Sequence, residues 1–196
     1  MRKVCLAGLS EVNRWWANQQ PPDVEVWGMN EGHNFLQRYD RWYQIHPKDW
    51  SEERKRKAGI IALPTQNTFG RGDTHVAFLK GLKVPLYMRP EEVSDVYPTS
   101  RPYPYGLARR TFHKPDGSLY LTSSASFMLA HALLEEDIRE IRIAGIEMST
   151  RTEYEQQRAN FEFLLGYARA KGVVVVPPPT GCSLFSGELY AGEPHA

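Results

Sequence analysis

The sequence contains little cysteine, with only Cys5 and Cys182 among its 196 residues. Disulfide-stabilised secreted domains usually carry more cysteines, so this scarcity excludes a disulfide scaffold and favours a reducing compartment. No apolar run approaches the roughly 20 residues needed to cross a bilayer. The apolar stretch at the amino terminus is also too short for a signal peptide. The sequence therefore predicts a cytoplasmic protein with no membrane partner.

An excess of one charge is also missing, because 24 Lys and Arg residues face 23 Asp and Glu residues. This balance gives no overall attraction to nucleic acid or anionic membranes, although local basic segments remain. The chain lacks the G-x-G-x-x-G and G-x-x-x-x-G-K-[ST] phosphate loops, which disfavours dinucleotide dehydrogenases and P-loop kinases. The histidines and cysteines form no pairs with ligand spacing, so we expect no metal site.

Short apolar runs instead alternate with helical patterns along the chain. This alternation predicts one α/β domain over 1–196, with helices on both faces of a mostly parallel sheet. The predicted strands cover 3–7, 24–29, 41–45, 60–63, 84–88, 139–144 and 173–176, the last buried on both faces. The predicted helices cover 11–18, 49–57, 74–82, 124–136 and 153–171.

Two segments have no such pattern. The proline-rich stretch 89–105 predicts a long surface loop or lid. The stretch 109–114 interleaves basic and aromatic residues before a Pro-Asp-Gly turn at 115–117. It fits contact with a phosphate backbone or polyanionic acceptor, and it equally fits an exposed hairpin strand.

Ligands of open α/β sheets bind outside the carboxyl ends of the strands. Gly8 and Ser10 follow the first predicted strand. They form either a ligand-binding loop or a tight turn with a helix cap. Asn30 follows the second strand and has the donors and acceptor to bind a base or ribose edge, although it also suits a turn. His46 follows the third strand. It is either a general base or an ordinary histidine at the end of a strand.

Three hydroxyl residues, Thr122, Ser123 and Ser124, open the most apolar predicted helix. The amino end of a helix favours anions through its unpaired N–H groups and its dipole. Helix capping alone would explain one hydroxyl, and three are present. This helix start is therefore a candidate phosphate site, with plain capping as the alternative.

The segment 120–148, YLTSSASFMLAHALLEEDIREIRIAGIEM, resembles the core of bacterial family 42 sialyltransferases and of pterin diphosphokinase-like proteins. The similarity extends to 4–10, 26–30 and 43–47. It implies a Rossmann-like fold that binds a nucleotide sugar without a metal cofactor. Ser123 and Ser124 would lie near the phosphate, and His46 replaces the family's asparagine before proline. Asn30 would lie near the base or ribose, and Gly8 and Ser10 in the first loop.

The motifs at 40–47, 122–128, 153–158 and 166–177 are also similar to those of a group of small bacteriophage proteins with no assigned activity. This second resemblance covers most of the chain. It indicates a bacteriophage family and implies no reaction.

In the sialyltransferases, the catalytic histidine and two phosphate-binding tyrosines lie in a lid inserted after one strand. In this chain the corresponding strand ends before Glu147. The lid is missing, so the resemblance supports ligand binding better than catalysis. We expect His46 to act as the base, with Glu153 or Glu147 as second candidates. Arg158 or Arg109 would then stabilise the leaving phosphate. Alternatively, Glu153 and Arg158 lie on a solvated face at the start of the last helix and have no ligand role.

The leading hypothesis is a phage-type, nucleotide-sugar-dependent glycosyltransferase that needs no metal, with a modified DNA base as a fitting acceptor. One alternative is another nucleotide-handling enzyme, such as an N-glycosidase, a hydrolase or a diphosphokinase. The other is a non-catalytic nucleotide-binding protein.

Overall fold

A computed structural model of the chain describes residues 1–46, 72–148 and 153–185, with the side chains of 72, 73 and 153–156 left out. Within these ranges the strands form a single sheet. The strands are β1 (Arg2–Ala7), β2 (Val24–Met29), β3 (Arg41–Gln44), β4 (Leu86–Met88), β5 (Ser100–Pro102), β6 (Ile138–Ala144) and β7 (Val174–Val176).

The sheet has the order β5-β4-β3-β2-β1-β6-β7, and each neighbouring pair is parallel. The predicted α/β fold with a mostly parallel sheet is confirmed. The helix predicted at 49–57 and the strand predicted at 60–63 lie outside the described residues.

Four α-helices and three short 3-10 helices accompany the sheet in the described part of the chain. The α-helices are α1 (Gly72–Gly81), α2 (Tyr105–Thr111), α3 (Ser124–Leu134) and α4 (Glu153–Ala170). The 3-10 helices cover Arg14–Gln19, Asn30–Asn34 and Pro90–Glu92. No helix within the described ranges is long and apolar enough to cross a membrane.

Side chains of the sheet alternate between two hydrophobic cores, one on each face. Val4 and Leu6 of β1 belong to the core that includes α3 and α4, whereas Cys5 and Ala7 belong to the core on the other face. Because successive residues of a strand point to opposite faces, this central strand is buried on both sides. The result is the predicted three-layer arrangement.

The carboxyl-terminal end of α3 is fixed to the amino ends of the strands. Glu135, the residue that caps this end of the helix, accepts hydrogen bonds from Arg2 at the start of β1 and from Arg41 at the start of β3. The amino-terminal end of α3 therefore lies toward the carboxyl ends of the strands, where ligands of this fold class bind.

Two predictions near the amino-terminal half are wrong. The segment 11–18 begins as a turn and continues as the 3-10 helix Arg14–Gln19, whose N-cap residue, Asn13, forms no side-chain cap. The Asn13 amide instead donates to Glu147 and to the carbonyl of Gly181. The segment 89–105 is not one loop, because it contains β5. Pro102 is tolerated there because an edge strand needs no complete hydrogen-bond ladder.

Two predictions near the carboxyl-terminal half also need correction. Arg109, Arg110 and Thr111 belong to helix α2, and the expected hairpin is limited to an antiparallel bridge between His113 and Leu119 across the turn, where Gly117 has a φ of 76°. β7 is an edge strand, with Val174 56% exposed, and is not buried on both faces. A β-branched run alone does not distinguish a central strand from an edge strand.

Candidate functional site

Three of the predicted site residues meet at the carboxyl edge of the sheet. Asn30 follows β2, His46 follows β3, and Ser124 begins α3. The Ser124 Oγ lies 3.4 Å from the Asn30 Nδ2 and 3.5 Å from the His46 Nε2. These separations are at the long limit for hydrogen bonds, so the hydroxyl remains able to bind a further polar atom.

Asn30 combines backbone strain with an unsatisfied side chain. Its φ is 48°, in the left-handed region that asparagine tolerates better than most residues. The residue is only 5% exposed, and its buried Oδ1 has no hydrogen-bond partner among the described residues. A buried acceptor without a partner costs about 1–3 kcal/mol, and a bound ligand or an ordered water removes this cost when it supplies the missing donor.

The three hydroxyls at the start of α3 have separate roles. The Ser123 Oγ accepts from the Ser126 N–H at 3.1 Å and so caps the helix. Thr122 is tied to α4, because its N–H and its hydroxyl both donate to the Asn160 Oδ1. Ser124 is thus the hydroxyl that faces Asn30 and His46. Capping explains one residue of the motif, and only Ser124 lies at the predicted site.

The helix start adds backbone donors to this group. An α-helix leaves its first N–H groups without intrahelical partners, and the Ser123 cap satisfies the one at Ser126. The N–H groups of Ser124 and Ala125 have no intrahelical acceptor. Together with the helix dipole, they favour a negatively charged group at this edge.

His46 is held in its neutral form near neutral pH. Burial, reinforced by the positive charge of Arg89, lowers the pKa of His46 below the usual value of 6.5. A neutral imidazole has one nitrogen that can accept a proton. Its position beside Ser124 therefore suits a general base or a hydrogen-bonding residue.

Arg89 is a site residue that sequence reasoning missed. It directly follows β4, as Asn30 follows β2, and its charge acts on His46. The signal is present in the sequence, because the predicted fifth strand ends at Met88. Arg89 is also the first residue of the proline-rich segment that is predicted as a surface loop. For this reason it is not grouped with the other residues that directly follow strands.

The first loop has a packing role. A Cβ at Gly8 would lie only 2.3 Å from the carbonyl oxygen of Gly145, so the turns after β1 and β6 meet without space for a side chain. The Ser10 N–H donates to the same carbonyl at 2.9 Å. No described contact joins Gly8 or Ser10 to Asn30, His46 or Ser124, and their ligand role stays a prediction.

The second-choice base and the predicted phosphate cation both contact the carboxyl-terminal segment. Glu147 accepts from the Asn13 amide at 2.5 Å and from the Ser183 N–H at 3.0 Å. Arg158 donates to Glu162 at 2.7 Å and to the Ser183 carbonyl at 2.8 Å. The side chain of Glu153 lies outside the described residues. Glu147 and Arg158 therefore bind the segment around Ser183, and no described contact brings them to Ser124.

The arrangement can bind an anionic ligand and accept one proton. It provides the N–H groups at the start of α3, the hydroxyl of Ser124, the unpaired amide oxygen of Asn30 and the neutral imidazole of His46. Among the described residues, no group of three or more His, Cys, Asp or Glu side chains could hold a metal ion.

Several solved structures share this fold. The sialyltransferase Cst-II in complex with a trisaccharide acceptor and CMP has a TM-score of 0.55 at 11% identity, covering 93% of this chain and 83% of that one. A point mutant of the α-2,3/8-sialyltransferase CstII has a TM-score of 0.55 at 12% identity, covering 93% and 84%. CstII from Campylobacter jejuni in complex with CMP-3FNeuAc has a TM-score of 0.51 at 11% identity, covering 94% and 84%.

At these identities the similarity establishes a shared Rossmann-like α/β fold with sialyltransferases, which are nucleotide-sugar glycosyltransferases. The resemblance inferred from segment 120–148 is thus supported at the level of the fold. No protein-family model matches the sequence, and no curated protein matches it.

Proposed function

We propose that this protein is a nucleotide-sugar-dependent glycosyltransferase whose donor binds at Asn30, His46 and Ser124. The observation that carries the proposal is the Asn30 Oδ1, a buried acceptor without a partner beside the Ser124 hydroxyl. An amino or hydroxyl group of a base or ribose would supply the missing donor. The donor phosphate would lie on the N–H groups at the start of α3.

His46 provides the base for this reaction. An acceptor hydroxyl or amine attacks the anomeric carbon of the sugar, and the bond from that carbon to the phosphate oxygen breaks. The phosphate leaves with the bonding electrons, and the neutral imidazole of His46 takes the proton released by the acceptor. The partial positive charge at the helix start stabilises the leaving phosphate. We propose that the donor therefore needs no metal ion.

We further propose a phage-type enzyme that works in the cytoplasm and modifies a DNA base. The basic helix α2 supports a polyanionic acceptor, because Arg109 and Arg110 are both exposed on it. Beside it lies a shallow cavity of about 440 Å³, lined by Tyr105, Gly106, Arg109, Ser118 and Leu119. Binding of duplex DNA should weaken steeply with added salt, since phosphate contacts release counterions. Salt-independent or absent DNA binding would remove this acceptor.

The test of the main proposal is calorimetric titration of the protein with CMP, other nucleoside monophosphates and their sugar conjugates, with Mg²⁺ and then with EDTA. We expect a cytidine nucleotide to bind equally in both conditions and Ser124→Ala to weaken it. Ser100→Ala is the matched control, because the Ser100 hydroxyl donates to the Ser94 carbonyl at the amino end of β5. No binding of any nucleotide, or equal binding by Ser124→Ala, would contradict the proposal.

A nucleotide or glycoside hydrolase is the second candidate, favoured by the contact between the Ser124 hydroxyl and the His46 imidazole. Water would then replace the acceptor. Incubation of the donor without any acceptor separates the two reactions, because a hydrolase releases the sugar at full rate. Tight binding with no turnover under either condition would favour the non-catalytic nucleotide-binding protein.

A further inference from the structure

Arg89 stands in a row with the other residues at the carboxyl edge of the sheet. In the pairing of β3 with β4, Gln44 lies opposite Met88. His46 is two residues beyond Gln44, and Arg89 directly follows Met88. The ends of these two neighbouring strands therefore place an imidazole and a guanidinium side by side.

The neighbours of Arg89 connect it to the start of α3. Its guanidinium lies beside the Tyr105 hydroxyl, which is buried and does not complete a hydrogen bond of normal geometry. The Tyr105 ring packs edge-on against Phe127 in the first turn of α3, with 5.4 Å between ring centroids. Arg89 and Tyr105 thus lie on the side of the site opposite Asn30.

Among the described residues, the carboxylates of Glu91 and Glu92 act on Arg89, and the direct ion pair is with Glu91. The Arg89 Nη1 lies 3.5 Å from the Glu91 carboxylate, in a pair whose Glu91 side chain is 64% exposed. Such exposed pairs contribute little and exchange readily for a stronger partner. By contrast, Arg109 donates to the Gly117 carbonyl, and Arg158 is held by Glu162 and Ser183.

We infer that Arg89, assisted by the Tyr105 hydroxyl, binds the phosphate of the nucleotide at this site. The inference rests on the proposed function and adds the phosphate cation to it. A guanidinium suits this task because it donates two parallel hydrogen bonds to phosphate oxygens. The Tyr105 hydroxyl, buried beside the Arg89 guanidinium, then donates to the same phosphate, and the helix start binds this phosphate from its other side.

The experiment compares CMP with cytidine as calorimetric probes of the wild type, Arg89→Met and Arg89→Lys. Because cytidine lacks the phosphate, we expect Arg89→Met to weaken CMP about tenfold or more and to leave the affinity for cytidine unchanged. The CMP affinity of Arg89→Lys should lie between those of the wild type and Arg89→Met, since lysine keeps the charge and loses the paired hydrogen-bond geometry. Arg101→Met is the matched control, because Arg101 is an exposed arginine of β5.

Tyr105→Phe provides a second variant, with an expected loss of about threefold to tenfold in CMP affinity. Thermal unfolding of each variant shows whether it retains the wild-type fold. Wild-type CMP affinity in Arg89→Met would overturn the phosphate role and leave the proposed function standing. Equal losses for CMP and cytidine would overturn it as well, because they indicate a general disturbance. Failure of the wild type to bind either probe would overturn both the phosphate role of Arg89 and the proposed function.

Discussion

The Oγ of Ser124 lies 3.5 Å from the Nε2 of His46, although 78 positions separate the two residues in the sequence. The sheet creates this proximity, because β3 delivers His46 to the edge where α3 begins. The pairing makes the protonation state of one imidazole central to the proposed chemistry.

Activity should therefore depend on the pH through His46. Its pKa is lowered, first by burial and then by Arg89, so the neutral base is present at neutral pH and is lost as the pH falls through that lowered value. The acidic limb of kcat/KM should lie below pH 6.5. Arg89→Met should move this limb to higher pH, because it removes a positive charge near the ring. NMR titration of the His46 ring checks both statements without turnover, and a His46 pKa at or above 6.5 would contradict them.

The two serines at the start of α3 should differ in what they affect. Ser123→Ala should lower the free energy of unfolding by about 1 kcal/mol, because it removes the helix cap, and should leave nucleotide affinity nearly unchanged. Ser124→Ala should show the opposite pattern, since Ser124 faces Asn30 and His46. Urea denaturation and calorimetric titration measure the two properties separately. If both variants lost affinity equally, the division of roles would be wrong.

Asn30→Gly should separate stability from binding. Glycine adopts the φ of 48° without strain, and the substitution removes a buried oxygen that has no partner. We expect a free energy of unfolding within about 1 kcal/mol of the wild type, because glycine also adds entropy to the unfolded chain. Nucleotide affinity should fall tenfold or more. Wild-type affinity in this variant would show that the orphan oxygen is not a ligand contact.

The sequence could predict the part of the site that follows strongly patterned elements. The apolar runs that form β2, β3 and α3 are unambiguous, so the positions of Asn30, His46 and Ser124 follow from the rule that parallel strands end at one edge. Arg89 was within reach of the same rule, because it directly follows a predicted strand.

Other features carry no local signal. β5 consists of Ser100, Arg101 and Pro102, which have no apolar pattern because an edge strand is paired on one side only. Glu147 and Arg158 both contact Ser183, and no periodicity marks such contacts between distant parts of the sequence. The role of Gly8 likewise depends on Gly145, far along the chain. Tertiary packing alone determines these relationships.

His131 should make the protein less stable in mild acid. Its pKa is lowered to about 4, mainly by burial, with Glu135 opposing the shift and Arg41 and Arg2 adding to it. The unfolded chain binds a proton below about pH 6.5, whereas the folded chain excludes it until about pH 4. Stability should therefore fall as the pH drops from 6.5 toward 4, by on the order of 3 kcal/mol over the whole window.

The measurement is urea denaturation of the wild type and His131→Asn between pH 7 and pH 5. Asparagine keeps a polar atom near the Tyr43 hydroxyl, which lies 2.8 Å from the His131 Nδ1, and it does not titrate. The difference between the two proteins isolates His131 from His33 and His46, whose pKa values are also lowered. Parallel pH dependence in the two proteins would contradict the assignment.

Gly8→Ala should destabilise the protein through the contact between the first and sixth strand ends. The added Cβ would lie 2.3 Å from the Gly145 carbonyl oxygen and 2.5 Å from the Ile146 Cγ1, so the backbone must shift. We expect a loss of about 1–3 kcal/mol in the free energy of unfolding, as for other overpacked sites. Gly166→Ala is the matched control, because it lies in α4 with open space around its Cβ. Alanine is the better helix former there and should add about 0.5–1 kcal/mol. Equal effects of the two substitutions would show that the close approach of the turns at Gly8 and Gly145 does not constrain the fold.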